Sequence, residues 1–262
     1  MFQSFKESAA PAQGPARLAE LRKTMTTAGL AGFLVPRADA HQGEYVAPRD
    51  DRLAWLTGFT GSASWCVALA DRAGVFVDSR YRVQVRAQVA DVFEPVNWPE
   101  VSLADWINGA LSEGVLGFDP WLLTVGQARD LETKLGDGRR LAPCDNLVDA
   151  IWPDQPDAPR GPVAAQPETL TGEGHDSKIQ RLAAGLQGVE ACVLTLPDSI
   201  AWLLNIRGSD IERNPLAHCF AILHADASVD LFIAAAKLAE LGDHIGATVT
   251  VHPPEAFVDA LS

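Results

Sequence analysis

Apolar residues in the first half of the chain follow two alternating spacings, one typical of helices and one typical of strands. Leu18, Leu21 and Met25 recur at helical spacing and predict a helix over residues 18–28. Further helices are predicted to start near Arg80 and to cover residues 103–111 and 125–135. Short apolar runs predict strands at 32–36, 65–69, 74–78 and 115–118. This alternation indicates an α/β fold, and the hairpin-short connections between some strands make its sheet mixed.

One segment of the chain occurs twice. The sequence DRLAWLTGFTGS starts at Asp51 and DSIAWLLNIRGS starts at Asp198, with aspartate, alanine, tryptophan, leucine, glycine and serine identical at matching positions. Each copy predicts a short helix capped by its aspartate, because a carboxylate accepts the amides left unpaired in a first turn. Each copy also follows one strand-like run and precedes two more. A repeat with so long a period predicts two homologous domains, each a mixed β-sheet flanked by helices.

A proline-rich stretch at residues 152–163 separates the two copies. Proline cannot continue a helix or a central strand, so this stretch predicts a linker. We expect domain I over residues 1–157 and domain II over residues 158–262. Fewer residues follow the repeat in domain II than in domain I. Domain II is therefore expected to lack its last elements, and residues 255–261 predict the beginning of a helix.

Charge narrows the range of partners. The chain carries 34 acidic and 21 basic residues, for a formal net charge of −13 at pH 7. Nucleic acids and anionic membrane surfaces repel such a chain unless it has a concentrated basic patch. The one dense basic stretch holds only Arg80, Arg82 and Arg86. We therefore expect no nucleic acid and no membrane among the partners.

The remaining composition indicates a cytoplasmic protein. No apolar run is long enough to span a bilayer, and residues 1–14 lack the apolar segment of a secretory signal. Cys66, Cys144, Cys192 and Cys219 lie far apart and form no C-x-x-C pair, so zinc-ribbon spacing is absent. In the cytoplasm these four residues are expected to be buried free thiols.

One loop contains enough polar groups to suggest a metal site. Asp39, His41 and Glu44 lie within six residues of each other. Three ligands in one loop are only part of a site, and no helical His-Glu partner motif occurs elsewhere. The alternative is a polar loop whose histidine bonds to a backbone carbonyl, and it is favoured. We assign no metal ligand.

The glycine-rich segment that contains Ser62 is a second candidate. GFTGS lacks the G-x-S-x-G order of a nucleophile elbow. The same Gly-Ser pair recurs in the second copy, which indicates a turn of the fold. A serine hydrolase is disfavoured, and we assign no catalytic residue.

Arg80 is the strongest candidate for a binding residue. It lies in the sequence DSRY, where a predicted strand passes into a predicted helix and side chains can project into a crevice. Its planar guanidinium could hold a carboxylate or a peptide carbonyl there. The spacing of the residues alone favours an alternative, in which Arg80 is exposed and pairs with an acidic neighbour.

The chain resembles a known family of enzymes. Its motifs DAHQGEYVAP, GFTGSA, DSRY, NLVDAIW and IAWLLNIRGSDIERNP are similar, in the same order, to those of the N-terminal half of three-domain, cytosolic-type aminopeptidase P, an Xaa-Pro aminopeptidase. In that family two creatinase-like domains precede a pita-bread catalytic domain. The catalytic domain holds two metal ions, usually manganese, and removes the first residue from peptides whose second residue is proline.

The resemblance has defined implications for this chain. It implies an α/β fold of two creatinase/prolidase N-terminal-like domains, which contain no metal ligand and no catalytic residue of the family. It implies a substrate-binding role for Arg80, which falls on the family's arginine, while Ser79 stands where the family has glycine. The partners implied are the protein's own C-terminal catalytic domain, short proline-containing peptides and further copies in a homo-oligomer.

Three functions are therefore weighed. The first is the non-catalytic half of a dinuclear-metal Xaa-Pro aminopeptidase, which shapes substrate access and subunit association and is inactive as a 262-residue chain. The second is a free-standing binding or scaffold module of the same fold without catalytic activity. The third, an independent hydrolase that uses Ser62 or a His/Asp site, is the weakest because no complete set of catalytic residues is recognisable.

Overall fold

A computed structural model describes residues 9–262, so residues 1–8 of the N-terminal segment (1–14) considered above lie outside it. Contacts divide the chain into two compact units. Unit 1 comprises the residues up to Ala40 together with Pro48–Pro156, and unit 2 comprises His41–Ala47 together with Asp157–Ser262. Both units are mixed α/β structures, which confirms the predicted fold class.

Unit 1 contains six strands and five helices among its described residues. The strands are β1 (Gly32–Pro36), β2 (Ser64–Leu69), β3 (Ala73–Val77), β4 (Glu94–Asn97), β5 (Gly114–Phe118) and β6 (Arg139–Pro143). The helices are α1 (Gly14–Thr27), α2 (Arg52–Thr57), α3 (Gln84–Gln88), α4 (Leu103–Ala110) and α5 (Val125–Lys134).

The sheet of unit 1 has the order β4-β3-β2-β1-β5-β6 and is apolar on both faces. Strands β1, β2 and β3 pair antiparallel, whereas the other neighbours pair parallel. Successive side chains of a strand point to opposite faces. Phe33 accordingly packs with α1, α2 and α3, while Leu34 packs with α4 and α5. Helices therefore cover both faces of this sheet.

Unit 2 is smaller. Its strands are β7 (Ala164–Ala165), β8 (Ala191–Leu194), β9 (Ile206–Arg207), β10 (Phe220–His224), β11 (Val229–Phe232) and β12 (Val249–His252). Its helices are α6 (Glu168–Thr171), α7 (His175–Ala183) and α8 (Pro197–Leu203). Strands β7 and β9 form a separate two-stranded ribbon.

The main sheet of unit 2 reproduces part of the sheet of unit 1. Its order is β12-β11-β10-β8, and its antiparallel, antiparallel and parallel pairings match those of β1 to β4. Helices α7 and α8 pack on one face around Leu223 and Leu231. Within the described residues no strand takes the place of β5, so β8 is an edge strand.

Most predicted elements are present, with three corrections. The helix predicted from Arg80 is divided into a 3-10 turn (Ser79–Tyr81) and α3, because Asp78 caps the turn and tightens it. Asp51 occupies the N-cap position of α2 without a side-chain capping bond, and Asp198 lies inside α8, whose N-cap is Leu196, so the predicted cap of α8 is wrong. Residues 255–261 form short 3-10 turns and not a helix.

The cysteines also differ from expectation in part. All four are free thiols, and Cys66 and Cys219 are buried, but Cys144 and Cys192 are half-exposed. Burial raises the pKa of the Cys66 thiol, and that of Cys219, to about 12. Among residues 9–262, no helix combines the length and the apolar character needed to cross a membrane.

Candidate functional site

Arg80 lies on a tight turn at the end of β3. Strand β3 ends at Val77, and the Asp78 carboxylate accepts the backbone N–H of Arg80 at 2.9 Å. Such a bond satisfies one of the amides that a first turn leaves unpaired. Ser79 is not among the residues with positive φ, so serine fits the turn without the glycine that the family has there.

The guanidinium of Arg80 is folded against the same aspartate. Its Nε lies 3.1 Å from both Asp78 carboxylate oxygens, and its Nη2 lies 2.7 Å from Oδ2. The Arg80 side chain is 59% exposed. The hydrogen bonds from Arg80 hold the pKa of the Asp78 carboxyl below its ordinary value. Asp78 is thus the acidic neighbour that the spacing of residues predicted for an exposed Arg80.

Pairing with Asp78 orients the arginine along one edge of its guanidinium. A guanidinium is a planar fork with two edges that can each donate two parallel hydrogen bonds. Asp78 engages the Nε–Nη2 edge and thereby fixes the direction of the Nη1–Nη2 edge. That second edge has the geometry to hold a carboxylate or a peptide carbonyl.

The loop over residues 58–62 lies beside this turn. Gly58, with φ +89°, ends α2 in the left-handed conformation, and a side chain there would meet the Gln88 carbonyl. Gln88 is buried, and its Oε1 accepts the Thr60 amide at 3.0 Å. The Ser62 hydroxyl lies 2.8 Å from the Tyr81 hydroxyl, which also accepts the Ser62 amide at 3.2 Å. The described contacts of Ser62 thus include a tyrosine and no histidine that could act as its base.

The residues of the polar loop at 39–44 are in unlike environments. Asp39 and His41 are buried, whereas Glu44 is exposed. His41 Nδ1 lies 3.0 Å from the carbonyl oxygen of Thr195, and its ring packs against those of His218 and Phe220. Within either unit taken alone, no three His, Cys, Asp or Glu side chains of residues 9–262 bring ligand atoms within 4.8 Å of one another.

The second copy of the repeat builds a different surface. Ser209, the counterpart of Ser62, donates its hydroxyl to the Pro162 carbonyl at 3.1 Å. Beside α8 lies a groove of about 480 Å³ lined mainly by apolar side chains such as those of Leu182, Leu194 and Trp202. Its lining offers contact area for apolar groups and few ligands for a metal ion.

Two residues of the Arg80 environment were missed by the sequence analysis. Tyr81 falls within the helix predicted to start near Arg80, and the sequence pattern assigns no role to Gln88. Tyrosine beside the DSR motif and an identical serine in both repeats could have suggested a contact. The short connection between the strands predicted at 65–69 and 74–78 is a further signal, because a hairpin places the loop before its first strand beside the turn after its second.

Comparison with known proteins gives consistent results for both units. A family model described as the creatinase/prolidase N-terminal domain matches residues 17–151, and a second model with that description matches residues 154–262. The chain is 36% identical over 259 residues to "Probable Xaa-Pro aminopeptidase P" of Pyrenophora teres f. teres, covering 94% of this chain and 39% of that protein. It is 36% identical over 231 residues to Xaa-Pro aminopeptidase 2 of Rattus norvegicus, covering 83% of this chain and 33% of that protein.

The chain is also similar to a solved structure. X-prolyl aminopeptidase from Caenorhabditis elegans, described as a cytosolic enzyme with a di-nuclear active site, superimposes with a TM-score of 0.86 at 30% identity. The match covers 95% of this chain and 43% of that one. The chain thus spans about two fifths of the length of the relatives that it matches.

Proposed function

The chain belongs to the creatinase/prolidase N-terminal domain family, and on that premise we propose that it is the non-catalytic N-terminal part of a dinuclear-metal Xaa-Pro aminopeptidase. The whole enzyme would remove the first residue from short peptides whose second residue is proline. Its two metal ions, for which we propose manganese, would be held by a C-terminal catalytic domain, and this chain alone would be inactive. Xaa-Pro aminopeptidases among the relatives of this chain support the proposal.

Within that enzyme we propose that Arg80 binds the peptide substrate. The observation that carries this role is the position of its guanidinium, which is exposed at the end of a central strand and fixed along one edge by Asp78. A fixed donor loses little entropy when it binds a carboxylate or carbonyl, so it can hold a peptide in place.

Substitution of Arg80 in the complete enzyme tests this role. Arg80→Ala is expected to lower kcat/KM for an Xaa-Pro peptide by about tenfold or more, the size typical of a lost hydrogen bond to a charged group. Arg80→Lys keeps the charge but loses the planar fork, and should recover only part of the activity. The measurement is kcat/KM with manganese present, on matched peptides with proline or alanine as the second residue.

Arg82 provides the matched control. It lies two residues away, is 38% exposed and pairs with Glu100. Arg82→Ala should leave kcat/KM within about twofold of the parent, as expected of an exposed ion pair. An Arg80→Ala enzyme with unchanged kcat/KM would exclude the binding role. A complete protein that does not cleave the peptide with proline as its second residue under these conditions would exclude the activity itself.

We further propose that the chain shapes access to the active site, takes part in a cytoplasmic homo-oligomer and has no nucleic acid or membrane partner. The net charge of −13 supports the absence of polyanionic partners. Sedimentation of the complete enzyme tests the association, with a monomeric mass at micromolar concentration as the contrary result. Cleavage of unfolded peptides but not of a folded protein with the same N-terminal sequence tests the restriction of access.

A further inference from the structure

The turn that carries Arg80 is short and directly follows β3. It is a single 3-10 turn of three residues, and Arg80 is exposed on it. The Asp78 carboxylate bonds to the amide and guanidinium of Arg80, so it orders these groups relative to one another. Because Asp78 belongs to the same segment, these bonds restrain the side chain within the turn and leave the turn itself to be held from elsewhere.

Tyr81 provides such a restraint from outside the segment. Its hydroxyl lies 2.8 Å from the Ser62 hydroxyl and accepts the Ser62 amide at 3.2 Å. Ser62 lies just before β2, nineteen residues from Tyr81 along the chain. The two bonds therefore tie the residue next to Arg80 to the adjoining strand of the sheet.

The ring of Tyr81 is held as well as its hydroxyl. It packs edge-on against buried Phe59, with ring centroids 5.6 Å apart. A Cβ atom at Gly61 would lie 2.3 Å from the Phe59 ring and 3.0 Å from that of Tyr81, so glycine is needed for this approach. The guanidinium of Arg80 in turn lies 5.0 Å from the centre of the Tyr81 ring. The Tyr81 side chain thus contacts both the loop over residues 58–62 and the guanidinium of Arg80.

We infer that Ser62 and Tyr81 are positioning residues for Arg80, which hold its guanidinium at the place where a peptide substrate is bound. This inference rests on the proposed function. Ser62 and Tyr81 make no contact with substrate in this arrangement; they act only through the arginine. The serine shared by both repeats would thus have this positioning role only in unit 1. Its counterpart in unit 2, Ser209, donates its hydroxyl to the Pro162 carbonyl instead.

A double-mutant cycle in the complete enzyme tests the inference. Tyr81→Phe keeps the ring and removes the hydroxyl, and is expected to lower kcat/KM for an Xaa-Pro peptide about threefold to tenfold, because both neutral hydrogen bonds to Ser62 are lost. In the Arg80→Ala background the same substitution should change kcat/KM less than about twofold, because residues that act through a common partner are not additive. Ser62→Ala removes only the bond between the two hydroxyls and keeps the bond from the backbone amide of residue 62, so it should act in the same direction with a smaller effect.

The chain offers a matched control for the serine. Ser209→Ala removes the equivalent hydroxyl from unit 2 and should leave kcat/KM unchanged in both backgrounds. A second measurement is independent of activity: the 15Nε signal of Arg80 in this chain, recorded with labelled arginine. Tyr81→Phe and Ser62→Ala should shift and sharpen this signal as the side chain gains motion, whereas Ser209→Ala should not.

The outcomes separate the inference from the proposed function. If Arg80→Ala lowers kcat/KM but Tyr81→Phe has the same effect with and without Arg80, Tyr81 has a general structural role and the inference is wrong. The same conclusion follows if Tyr81→Phe leaves both kcat/KM and the Arg80 signal unchanged. If Arg80→Ala itself has no effect, the binding role of Arg80 fails and the positioning role fails with it.

Discussion

The two copies of the repeat place the same tryptophan in different surroundings. In unit 1 a cation, Arg17, lies 4.3 Å above the ring of Trp55, and Trp152 stacks on that ring at 5.0 Å. In unit 2 a cation, Lys178, lies 4.4 Å above the ring of Trp202, which is otherwise 46% exposed and lines the apolar groove. The cation is common to both units, whereas the stacked aromatic belongs to unit 1.

The source of the difference is the segment that follows β6. Residues 147–152 close over the core of unit 1 beside α2, and Asp149 in this segment pairs with buried Arg52 at 2.6 and 2.9 Å. In unit 2 the position of Arg52 is held by Ser199, and the described residues supply no equivalent of the closing segment. A repeated sequence therefore specifies the helix and its tryptophan but not what covers them.

The second face of each sheet, which lies opposite α1 to α3 in unit 1 and opposite α7 and α8 in unit 2, also differs between the units. In unit 1 this face is an apolar core beneath α4 and α5. In unit 2 it holds only a small apolar cluster around Phe232, next to Asp230, which accepts hydrogen bonds from two histidines. Unit 2 thus has less apolar burial, and polar pairs form a larger part of its structure.

The largest effect is expected from the buried ion pair of unit 2. Lys237 Nζ lies 2.5 Å from Asp210, whose side chain is completely buried and also accepts the amides of Gly161 and His218. Asp210→Ala leaves a buried ammonium without its carboxylate and removes the acceptor of two amides, and should cost about 3–5 kcal/mol. The free energy of unfolding of each unit can be measured by native-state amide exchange.

Asp149 is the matched residue of unit 1. It is 29% exposed, and its partner Arg52 retains a second carboxylate, that of Asp50, at 3.0 Å. Asp149→Ala should therefore cost only about 1–2 kcal/mol. Equal losses for Asp149→Ala and Asp210→Ala would contradict the view that unit 2 depends more on its polar pairs.

A smaller effect is expected at the tryptophans. Trp152→Ala would make unit 1 resemble unit 2 by uncovering Trp55, and should cost about 2–3 kcal/mol through lost stacking and burial. Trp202→Ala should cost about 1 kcal/mol, since that ring is half-exposed and loses mainly its contact with Lys178. If the two substitutions destabilise their units equally, the closing segment is not what distinguishes them.

The smallest effect is expected in the pH dependence of the free energy of unfolding of unit 2. Although burial raises it, the pKa of the Asp230 carboxyl is lowered overall, because His252 and His224 donate hydrogen bonds to it. Because the folded pKa lies below the ordinary value of about 3.9, this stabilisation is present above about pH 4 and is lost as the pH falls through the folded pKa. The cluster is about one third exposed, so solvent weakens the effect.

Removal of both histidines tests this point. The double variant His224→Gln, His252→Gln should lose less stability than the parent between pH 5 and pH 3, two conditions chosen to bracket the ordinary aspartate pKa of about 3.9. His244→Gln, whose histidine bonds to the Leu204 carbonyl, serves as the control. An acid dependence of unit 2 that is the same in all three proteins would show that Asp230 gains nothing from its histidines.

Local sequence patterns predicted the helices and strands, but they did not predict contacts between residues that lie far apart in the chain. Apolar spacing located α4 and α5 to within a residue or so, because each helix buries one face. The same spacing joined the Arg80 turn to α3, since it does not register a capping bond such as that of Asp78. The resemblance made Arg80 a candidate for substrate binding, but it did not indicate the contact between Ser62 and Tyr81 beside it. Their contact depends on the pairing of β2 with β3, which brings together residues that no periodicity relates.

The edge strand β8 has a consequence for the chain at high concentration. One side of this strand presents backbone groups that no other strand of the described residues uses, and Val193 beside them is 45% exposed. Such an edge can serve as a template for extended segments of other molecules, which is the first step of fibril growth. Mutual repulsion at a net charge of −13 opposes this step at neutral pH and vanishes near the isoelectric point of about 4.8. The colloidal behaviour of the chain is therefore governed by charge, and mild acid is the condition under which its copies should begin to adhere.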